Sequence, residues 1–176
     1  MRIWRKSRLT IKKDERIGVL SDTHGFVPPQ VYDFFKDCDE LWHAGDIGWG
    51  VLEDLQKFKP VRAVYGNTDD HVLRFEAPKT QMFNCEGLRV IMTHIGGWPG
   101  HYPKEVKQLL VNEKPDIFVC GHSHILRVMY DSELELLHIN PGAAGRVGFH
   151  KVATLVRFVV DGEPKEMEVL DFDKSY

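Results

Sequence analysis

Residues 16–25 read RIGVLSDTHG, a short apolar run that ends in a polar turn closed by glycine. An apolar run of this length, bounded by turn residues, is typical of a buried strand. Four further apolar segments lead into polar clusters in the same way. These clusters are Gly45-Asp46, Gly66-Asn67-Thr68-Asp69, Thr93-His94 and Gly121-His122-Ser123-His124. Strands and helical segments alternate up to residue 120 and only strands follow, which predicts an α/β layered domain with an antiparallel extension.

The spacing of apolar residues predicts the individual elements. Helices are expected from Pro28-Pro29 to residue 36, over residues 51–58, and from Pro103 to the residue before Pro115. Strands are expected over residues 16–21, 40–43, 61–65, 88–93, 116–120, 126–130, 134–139, 152–160 and 167–172, with a hairpin around residues 85–87. The GNTDD stretch, residues 66–70, is interpreted as a loop.

The polar clusters are expected to meet at one edge of the fold. Ligands of open α/β sheets bind outside the carboxyl ends of the strands, and side chains two positions apart in an extended chain project to the same face. The clusters would bring together seven nitrogen and oxygen ligands: Asp22, His24, Asp46, Asn67, His94, His122 and His124. This set is too large for one tetrahedral ion and too poor in carboxylates for calcium, so it indicates two divalent metal ions.

Each cluster alone is a weak signal, because a single Asp or His after a strand is usually a cap or a turn residue. Five clusters in this order are more specific. Together they resemble the calcineurin-like metallophosphoesterase superfamily. The short chain, the GNTD form and the turn at residues 139–142 resemble its small YfcE-type phosphodiesterase branch. The resemblance extends from about residue 16 to residue 172.

The resemblance implies an α/β, four-layer metallophosphoesterase fold, in which two β-sheets pack as a sandwich flanked by helices. It also implies two divalent metal ions, commonly Mn²⁺, with Ni²⁺, Fe²⁺, Zn²⁺ or Co²⁺ as alternatives. Asp22, His24, Asp46 and His124 would hold one ion, and Asp46, Asn67, His94 and His122 the other. Asp46 would bridge the two ions.

The implied reaction is hydrolysis of a phosphodiester P–O bond by a hydroxide that bridges the two ions. Asp46, Asn67 and His94 are the expected catalytic residues, and the Asn67 amide would stabilise charge on the phosphoryl oxygens. Many superfamily phosphatases carry a histidine where this chain has Thr68, and that histidine assists the leaving group. Its replacement favours diesters with good leaving groups over alkyl monoesters. Asp69 and His101 could replace the missing acid, although a role in ordering a loop is favoured for both.

A protein-interaction scaffold on the same fold is the alternative function. The superfamily includes a retromer subunit related to this branch, in which parts of the metal pattern have changed. All seven ligand positions of this chain carry ligand-type residues, which favours the enzyme.

The composition limits the class of protein. The chain has 176 residues and a formal charge of −3, which is unlike the basic charge of general nucleic-acid binders. We therefore expect a phosphodiester small molecule or a nucleotide as substrate, and no stable nucleic acid complex. No apolar run is long enough for a membrane helix. The three cysteines, Cys38, Cys85 and Cys120, form no pair by spacing, which indicates a reducing, cytoplasmic location.

The charge is uneven along the chain. Residues 1–16 hold seven basic and two acidic side chains, whereas the remainder holds 16 basic and 24 acidic ones. We interpret residues 1–15 as a basic N-terminal extension and residues 16–176 as a single metallophosphoesterase domain. The extension also contains apolar residues, so a contact in a homo-oligomer is possible.

Several other residues have weaker signals. Phe26, Trp49, Trp98 and Phe149 lie in loops near the expected site, where packing is favoured over stacking on a nucleobase. His43 is expected to pack behind the site, and the turn at residues 140–142 to support it. His71, His138 and His150 have no motif around them, so surface or structural roles are expected.

Overall fold

The computed structural model describes residues 14–174, which form ten strands and four helices within that range. The strands are β1 (Glu15–Leu20), β2 (Glu40–His43), β3 (Val61–Ala63), β4 (Thr80–Cys85), β5 (Leu88–Thr93), β6 (Ile117–Val119), β7 (Leu126–Asp131), β8 (Leu136–Pro141), β9 (Val152–Val160) and β10 (Pro164–Asp173). The helices are α1 (Pro29–Phe34), α2 (Val51–Phe58), α3 (His71–Glu76) and α4 (Lys104–Glu113).

The strands form two mixed five-stranded sheets. The first has the order β10-β9-β1-β2-β3, and the second has the order β4-β5-β6-β8-β7. In the first sheet β1, β2 and β3 are parallel, and in the second β5, β6 and β8 are parallel. The sequence predicted that the later strands form an antiparallel extension. In the part of the chain that the structure describes, these strands form no such separate extension. Instead β7 and β8 complete the second sheet, and β9 and β10 complete the first.

Three apolar clusters separate four layers. The two sheets face each other across a core that contains Ile17, Val19 and Trp42 from the first sheet and Val90 and Ile117 from the second. A second cluster joins the outer face of the first sheet to α1, α2 and α3, and a third joins the outer face of the second sheet to α4. The α/β four-layer sandwich flanked by helices is thus confirmed.

The alternation of residues along β1 shows why this segment is central. Ile17 and Val19 enter the core between the sheets, whereas Leu20 faces the helices. Gly18 also faces the helices, and a Cβ atom at this position would lie 2.7 Å from the side chains of Leu41 and Phe35. Because strand residues alternate between faces, one strand supplies both cores. The missing side chain at Gly18 lets the end of α1 approach the sheet closely.

Helix α3 was missed by the sequence analysis, which interpreted residues 66–70 as a loop and assigned no helix after it. Asp70 caps this helix, since its carboxylate accepts hydrogen bonds from the backbone N–H groups of Val72 and Leu73. A capping aspartate is a recognisable start signal, but the helix has only six residues and one buried side chain, Leu73. The other predicted elements are present, and none of their ends differs from the prediction by more than three residues.

The described residues contain no helix that is both long and apolar enough to cross a membrane. Residues 1–13, which make up nearly all of the expected N-terminal extension, lie outside the described residues. The extension and the domain boundary after residue 15 remain predictions.

Candidate metal centre

The seven candidate ligands follow the carboxyl ends of five strands from both sheets. Asp22 and His24 follow β1, Asp46 follows β2 and Asn67 follows β3, whereas His94 follows β5 and His122 and His124 follow β6. Backbone hydrogen bonds join these loops. The N–H groups of Asp22 and His24 donate to the carbonyls of Gly45 and Asp46, and the N–H of Gly121 donates to the carbonyl of His94. The N–H of His122 also donates to the carboxylate of Asp22, so the loops of the two sheets are joined into one site.

Six of the candidate ligands form two groups of three. Ligand atoms of Asp22, His24 and His124 lie within 4.8 Å of one another, and so do those of Asp46, His94 and His122. The seventh candidate, Asn67, is exposed and lines a cleft together with His94. The structure thus brings six of the predicted residues together. They form two groups, which matches the number of metal ions that the sequence analysis expected.

Each of the two aspartates has one oxygen held by a backbone N–H group. The Oδ2 atom of Asp22 accepts from the N–H of His122 at 3.2 Å, and the Oδ1 atom of Asp46 accepts from the N–H of Thr68 at 2.9 Å. The other oxygen of each carboxylate faces the histidines. Asp22 Oδ1 lies 3.1 Å from His124 Nε2, and Asp46 Oδ2 lies 3.2 Å from His94 Nε2. One oxygen orients the carboxylate and the other is left for a ligand role.

Asp46 belongs to the second group and also lies close to the first. Its Oδ2 atom is 3.9 Å from His24 Nε2 in the first group and 3.2 Å from His94 Nε2 in the second. Burial opposes ionisation of this carboxylate, but the adjacent imidazole of His94 and the backbone N–H of Thr68 outweigh burial and lower the pKa of Asp46. The charged form is the one that can bind a cation, and its position suits a bridging ligand.

The hydrogen bond of His94 sets its tautomer. The Nδ1 atom lies 2.7 Å from the carbonyl oxygen of Ala44, so Nδ1–H donates to that oxygen. The Nε2 atom is therefore the one presented to the carboxylates. Gly45 is required for this approach, because a Cβ atom there would lie 2.6 Å from His94 Nδ1. Burial lowers the pKa of His94, but the nearby carboxylates of Asp46 and Asp22 outweigh burial and raise it when no cation is bound.

Three buried polar atoms at this site have no hydrogen-bond partner: Asp22 Oδ1, His24 Nε2 and His94 Nε2. Buried polar atoms are normally hydrogen-bonded. These three converge, since Asp22 Oδ1 is 4.0 Å from His24 Nε2 and 3.9 Å from His94 Nε2. Imidazole and carboxylate ligands suit divalent transition metals. The residues present therefore fit the divalent cations that the sequence analysis expected.

The backbone of the site is unusual. Five of the seven candidate ligands have a positive φ angle: Asp22 (56°), His24 (48°), Asp46 (52°), His122 (69°) and His124 (58°). The extended geometry that the sequence analysis assumed for residues 22–24 and 122–124 was therefore wrong. Asp and His enter this left-handed region more often than most residues, but it still carries strain for any side chain with a Cβ atom. Such strain tends to concentrate at functional sites.

We expect His122→Gly to be more stable than His122→Ala by about 1 kcal/mol, because glycine adopts a positive φ without steric cost. His122 is exposed, so loss of packing contributes little to either variant. Both variants lose the imidazole, which makes them a matched pair for the backbone effect. Urea unfolding of both proteins without metal would measure the difference, and an alanine variant as stable as the glycine variant would show that position 122 is unstrained.

Asp69 orders the loops around the site, as the sequence analysis favoured. Its side chain is buried, and Oδ2 accepts from the N–H groups of Ile47 and Gly66 at 3.1 and 2.8 Å, while Oδ1 accepts from Gly48 at 2.9 Å. These bonds join the loop that contains Asp46 to the loop that contains Asn67. These three hydrogen bonds all come from the backbone, which is typical of a structural carboxylate.

Asn140 supports the His122–His124 loop from behind. Its side-chain amide donates to the carbonyl of Gly121 at 2.8 Å and to the hydroxyl of Ser123 at 3.1 Å, and its Oδ1 accepts from the N–H of Gly142. This agrees with the supporting role expected for residues 140–142.

His43 packs behind the site, as expected. Its Nδ1 accepts from the N–H of Gly45, so its Nε2 donates to the hydroxyl of Thr23 at 2.9 Å, and Thr23 donates to the carbonyl of Ile47. Complete burial lowers the pKa of His43 to about 4, so it is neutral at physiological pH. His138 is buried on the second sheet, whereas His71 and His150 are exposed.

The aromatic residues near the site differ from expectation. Trp49 is 88% exposed and Phe149 is fully exposed, so the packing role favoured for them was wrong. Phe26 does pack, because the guanidinium carbon of Arg146 lies 3.8 Å from its ring centre. The ring of Trp98 lies 5.1 Å from that of His101, on an exposed loop. The residue type alone therefore does not show which of these aromatic side chains pack and which are exposed to solvent.

The sequence profile of the calcineurin-like phosphoesterase superfamily domain matches residues 16–163. The chain therefore belongs to this superfamily. It is also 30% identical over 162 residues to a probable metallophosphoesterase of Methanothermobacter thermautotrophicus, an alignment that covers 88% of this chain and 91% of the relative. A phosphodiesterase of Methanocaldococcus jannaschii is 22% identical over 144 residues, covering 72% of this chain and 82% of that protein.

Solved structures show the same fold. A novel archaeal phosphodiesterase superposes with a TM-score of 0.71 at 21% identity, covering 89% of this chain and 99% of that one. Vacuolar protein sorting 29 from Cryptosporidium parvum superposes with a TM-score of 0.66 at 19% identity, covering 92% and 99% of the two chains. Family membership and the named relatives support phosphoesterase activity and binding of divalent metal.

Proposed function

We propose that the chain is a metal-dependent phosphodiesterase that uses two divalent ions, with Mn²⁺ as the most suitable ion and Ni²⁺, Fe²⁺, Zn²⁺ or Co²⁺ as alternatives. The observation that carries the proposal is the pair of three-residue ligand groups around three buried, unpartnered polar atoms. Asp22, His24 and His124 would hold one ion. His94, His122 and Asn67 would hold the other, and Asp46 would bind both.

When bound, the ions would supply a water that ionises near neutral pH and positive charge for a phosphoryl anion. Two dications would outweigh the two buried carboxylates of Asp22 and Asp46, so the loaded site would attract anions although residues 17–176 are acidic in balance. The chain contributes orientation. Backbone N–H groups hold both carboxylates, the carbonyl of Ala44 holds His94, and the exposed amide of Asn67 is available to a phosphoryl oxygen.

The threonine at position 68 supports the proposal that the substrates are phosphodiesters and not phosphomonoesters. The backbone N–H of Thr68 binds Asp46, and its hydroxyl lies 3.5 Å from His24 Nδ1, so this side chain is beside the centre. A threonine hydroxyl is a poor general acid at neutral pH, so an alkoxide leaving group would depart without assistance. Asp69 does not replace it, because backbone bonds occupy both of its oxygens.

We expect Thr68→His to raise kcat for alkyl phosphate esters by about tenfold or more, because a positioned imidazole protonates the leaving oxygen. The same variant should change kcat for 4-nitrophenyl esters little, since 4-nitrophenolate leaves without a proton. Thr68→Val is the matched control, because it removes the hydroxyl without adding an acid. Equal kcat changes for both leaving groups in Thr68→His would contradict this account of position 68.

A protein-interaction scaffold is the second candidate. The structural similarity to vacuolar protein sorting 29 favours it, although at 19% identity this similarity concerns the fold alone. The complete ligand set favours the enzyme, because a scaffold has no need of converging, unpartnered metal ligands.

The three cysteines of the chain are buried and free of disulfides in the structure. Burial raises the pKa of Cys38 to about 11 and that of Cys120 to about 12, so both thiols are protonated and unreactive. Free cysteines support the proposal of a reducing, cytoplasmic compartment.

A panel of phosphodiesters and phosphomonoesters, assayed with each of the five metal ions, tests the proposed function. We expect hydrolysis of bis(4-nitrophenyl) phosphate with Mn²⁺, at a higher kcat/KM than 4-nitrophenyl phosphate. If no diester is hydrolysed with any of the metals, the phosphodiesterase proposal fails and the protein-interaction scaffold remains as the candidate function.

A further inference from the structure

We propose that the cleft beside His94 binds a nucleoside group of the substrate, so that the substrate is a nucleotide phosphodiester. The proposal rests on the proposed function for the reacting bond and adds the identity of one ester group. The cleft has a volume of about 620 Å³. Asn67 and His94 line it and also belong to the candidate metal centre, so a group bound in the cleft lies next to that centre.

The walls of the cleft match a nucleoside in size and chemistry. Apolar surface comes from Ile95, Val106 and Leu109, and Tyr65 supplies an aromatic ring. Val106 and Leu109 also pack against the apolar cluster beneath α4, so this wall is fixed to the fold. Pockets for small molecules usually measure about 300–1,000 Å³ and have mainly apolar walls with a few polar groups. A methyl ester would leave most of this volume filled with water, whereas a base and a sugar would displace it.

The charges of the cleft complement an anionic substrate. Lys79, before β4, and Lys104, at the start of α4, line the cleft and are exposed. Glu105 also lines it, so the three side chains leave a formal charge of +1. Positive charge here adds to that of the bound metals and favours a nucleotide over an uncharged nucleoside.

Two substrates with the same leaving group test the proposal: 4-nitrophenyl thymidine 5′-phosphate and methyl 4-nitrophenyl phosphate. We expect the wild-type protein with Mn²⁺ to favour the thymidine ester in kcat/KM by about tenfold or more. Ile95→Trp would place a large ring in the cleft, because Ile95 is 45% exposed and can accept a larger side chain. We expect this variant to reduce the preference for the thymidine ester to about twofold or less.

Charge reversal gives an independent variant. Lys79→Glu combined with Lys104→Glu should raise KM for the thymidine ester more than kcat falls. Lys36→Glu is the control, since Lys36 follows α1 on the opposite outer layer and changes the net charge in the same direction. A wild-type preference near one, or a preference that Ile95→Trp does not alter, would overturn the proposal while the phosphodiesterase stands.

Calorimetry with thymidine 5′-monophosphate separates this proposal from the proposed function. With the Mn²⁺-equilibrated protein, we expect Ile95→Trp to raise Kd by about tenfold and Lys36→Glu to leave it unchanged. If this result is obtained but no ester is hydrolysed, the phosphodiesterase fails and the nucleotide site stands. Absence of binding, or the same Kd in the wild type and in Ile95→Trp, would overturn the nucleotide site.

Discussion

Asp46→Asn is expected to lower kcat/KM for bis(4-nitrophenyl) phosphate by about a thousandfold or more, because it removes one charge and one ligand atom that both ions would use in the proposed centre. Asp46 Oδ2 lies near histidines of both groups, 3.9 Å from His24 Nε2 and 3.2 Å from His94 Nε2. Asparagine keeps an oxygen for the N–H of Thr68, so the loop can retain its shape. Metal content, measured by mass spectrometry after dialysis, should fall below that of the wild type.

Asp33→Asn is the control for this substitution, because it makes the same change of charge on the exposed face of α1. It should bind metal and hydrolyse the diester like the wild type. Far-ultraviolet circular dichroism should show that both variants are folded. If the Asp46→Asn protein is folded and has the wild-type kcat/KM, Asp46 is not a ligand of the proposed centre.

Asp69→Ala is expected to lower the free energy of unfolding by about 3 kcal/mol, because it leaves three backbone N–H groups without their acceptor. These groups belong to Ile47, Gly48 and Gly66. Asp69→Asn should lose less, since the amide oxygen can still accept from part of this set. We also expect kcat/KM to fall in the same order, because the bonds position Asp46 and Asn67.

The neighbouring Asp70 provides a matched control. Its carboxylate caps α3, so Asp70→Ala should cost about 1 kcal/mol of stability and little activity. Urea unfolding and diester hydrolysis would be measured for all three variants. If Asp69 were instead a general acid, Asp69→Asn would abolish activity without a loss of stability and would remove one limb of the pH–rate profile.

Much of the fold was predictable because its central strands are buried on both faces and therefore appear in the sequence as short apolar runs. Ile17 and Val19 alternate with residues that face the helices, and the same pattern recurs in β5 and β6. The order of the sheets was not readable from periodicity, because β8 pairs with β6 and β9 pairs with β1 across long separations in the chain. Helix α3 was not predicted because its six residues are too few to show a helical period.

The composition of the candidate site was predictable, and its geometry was not. Acidic and imidazole groups after Leu20, His43 and Val119 indicated metal ligands by their residue types and strand context. The left-handed backbone at Asp22 and His124 has no simple sequence signal, because it depends on the surrounding loops. The exposure of Trp49 and Phe149 could not be predicted either, because the local sequence does not show which loop side chains pack against other residues.

Titration of metal-stripped protein with Mn²⁺, with bound metal and hydrolysis of bis(4-nitrophenyl) phosphate followed together, tests the two-ion centre most directly. The structure offers two ligand groups, and Asp46 Oδ2 of the second group lies 3.9 Å from His24 Nε2 of the first. We expect binding to saturate at two ions per chain, and activity to reach its maximum only as the second ion binds. Saturation of both quantities at one ion per chain, or two bound ions without any hydrolysis, would contradict the proposed centre.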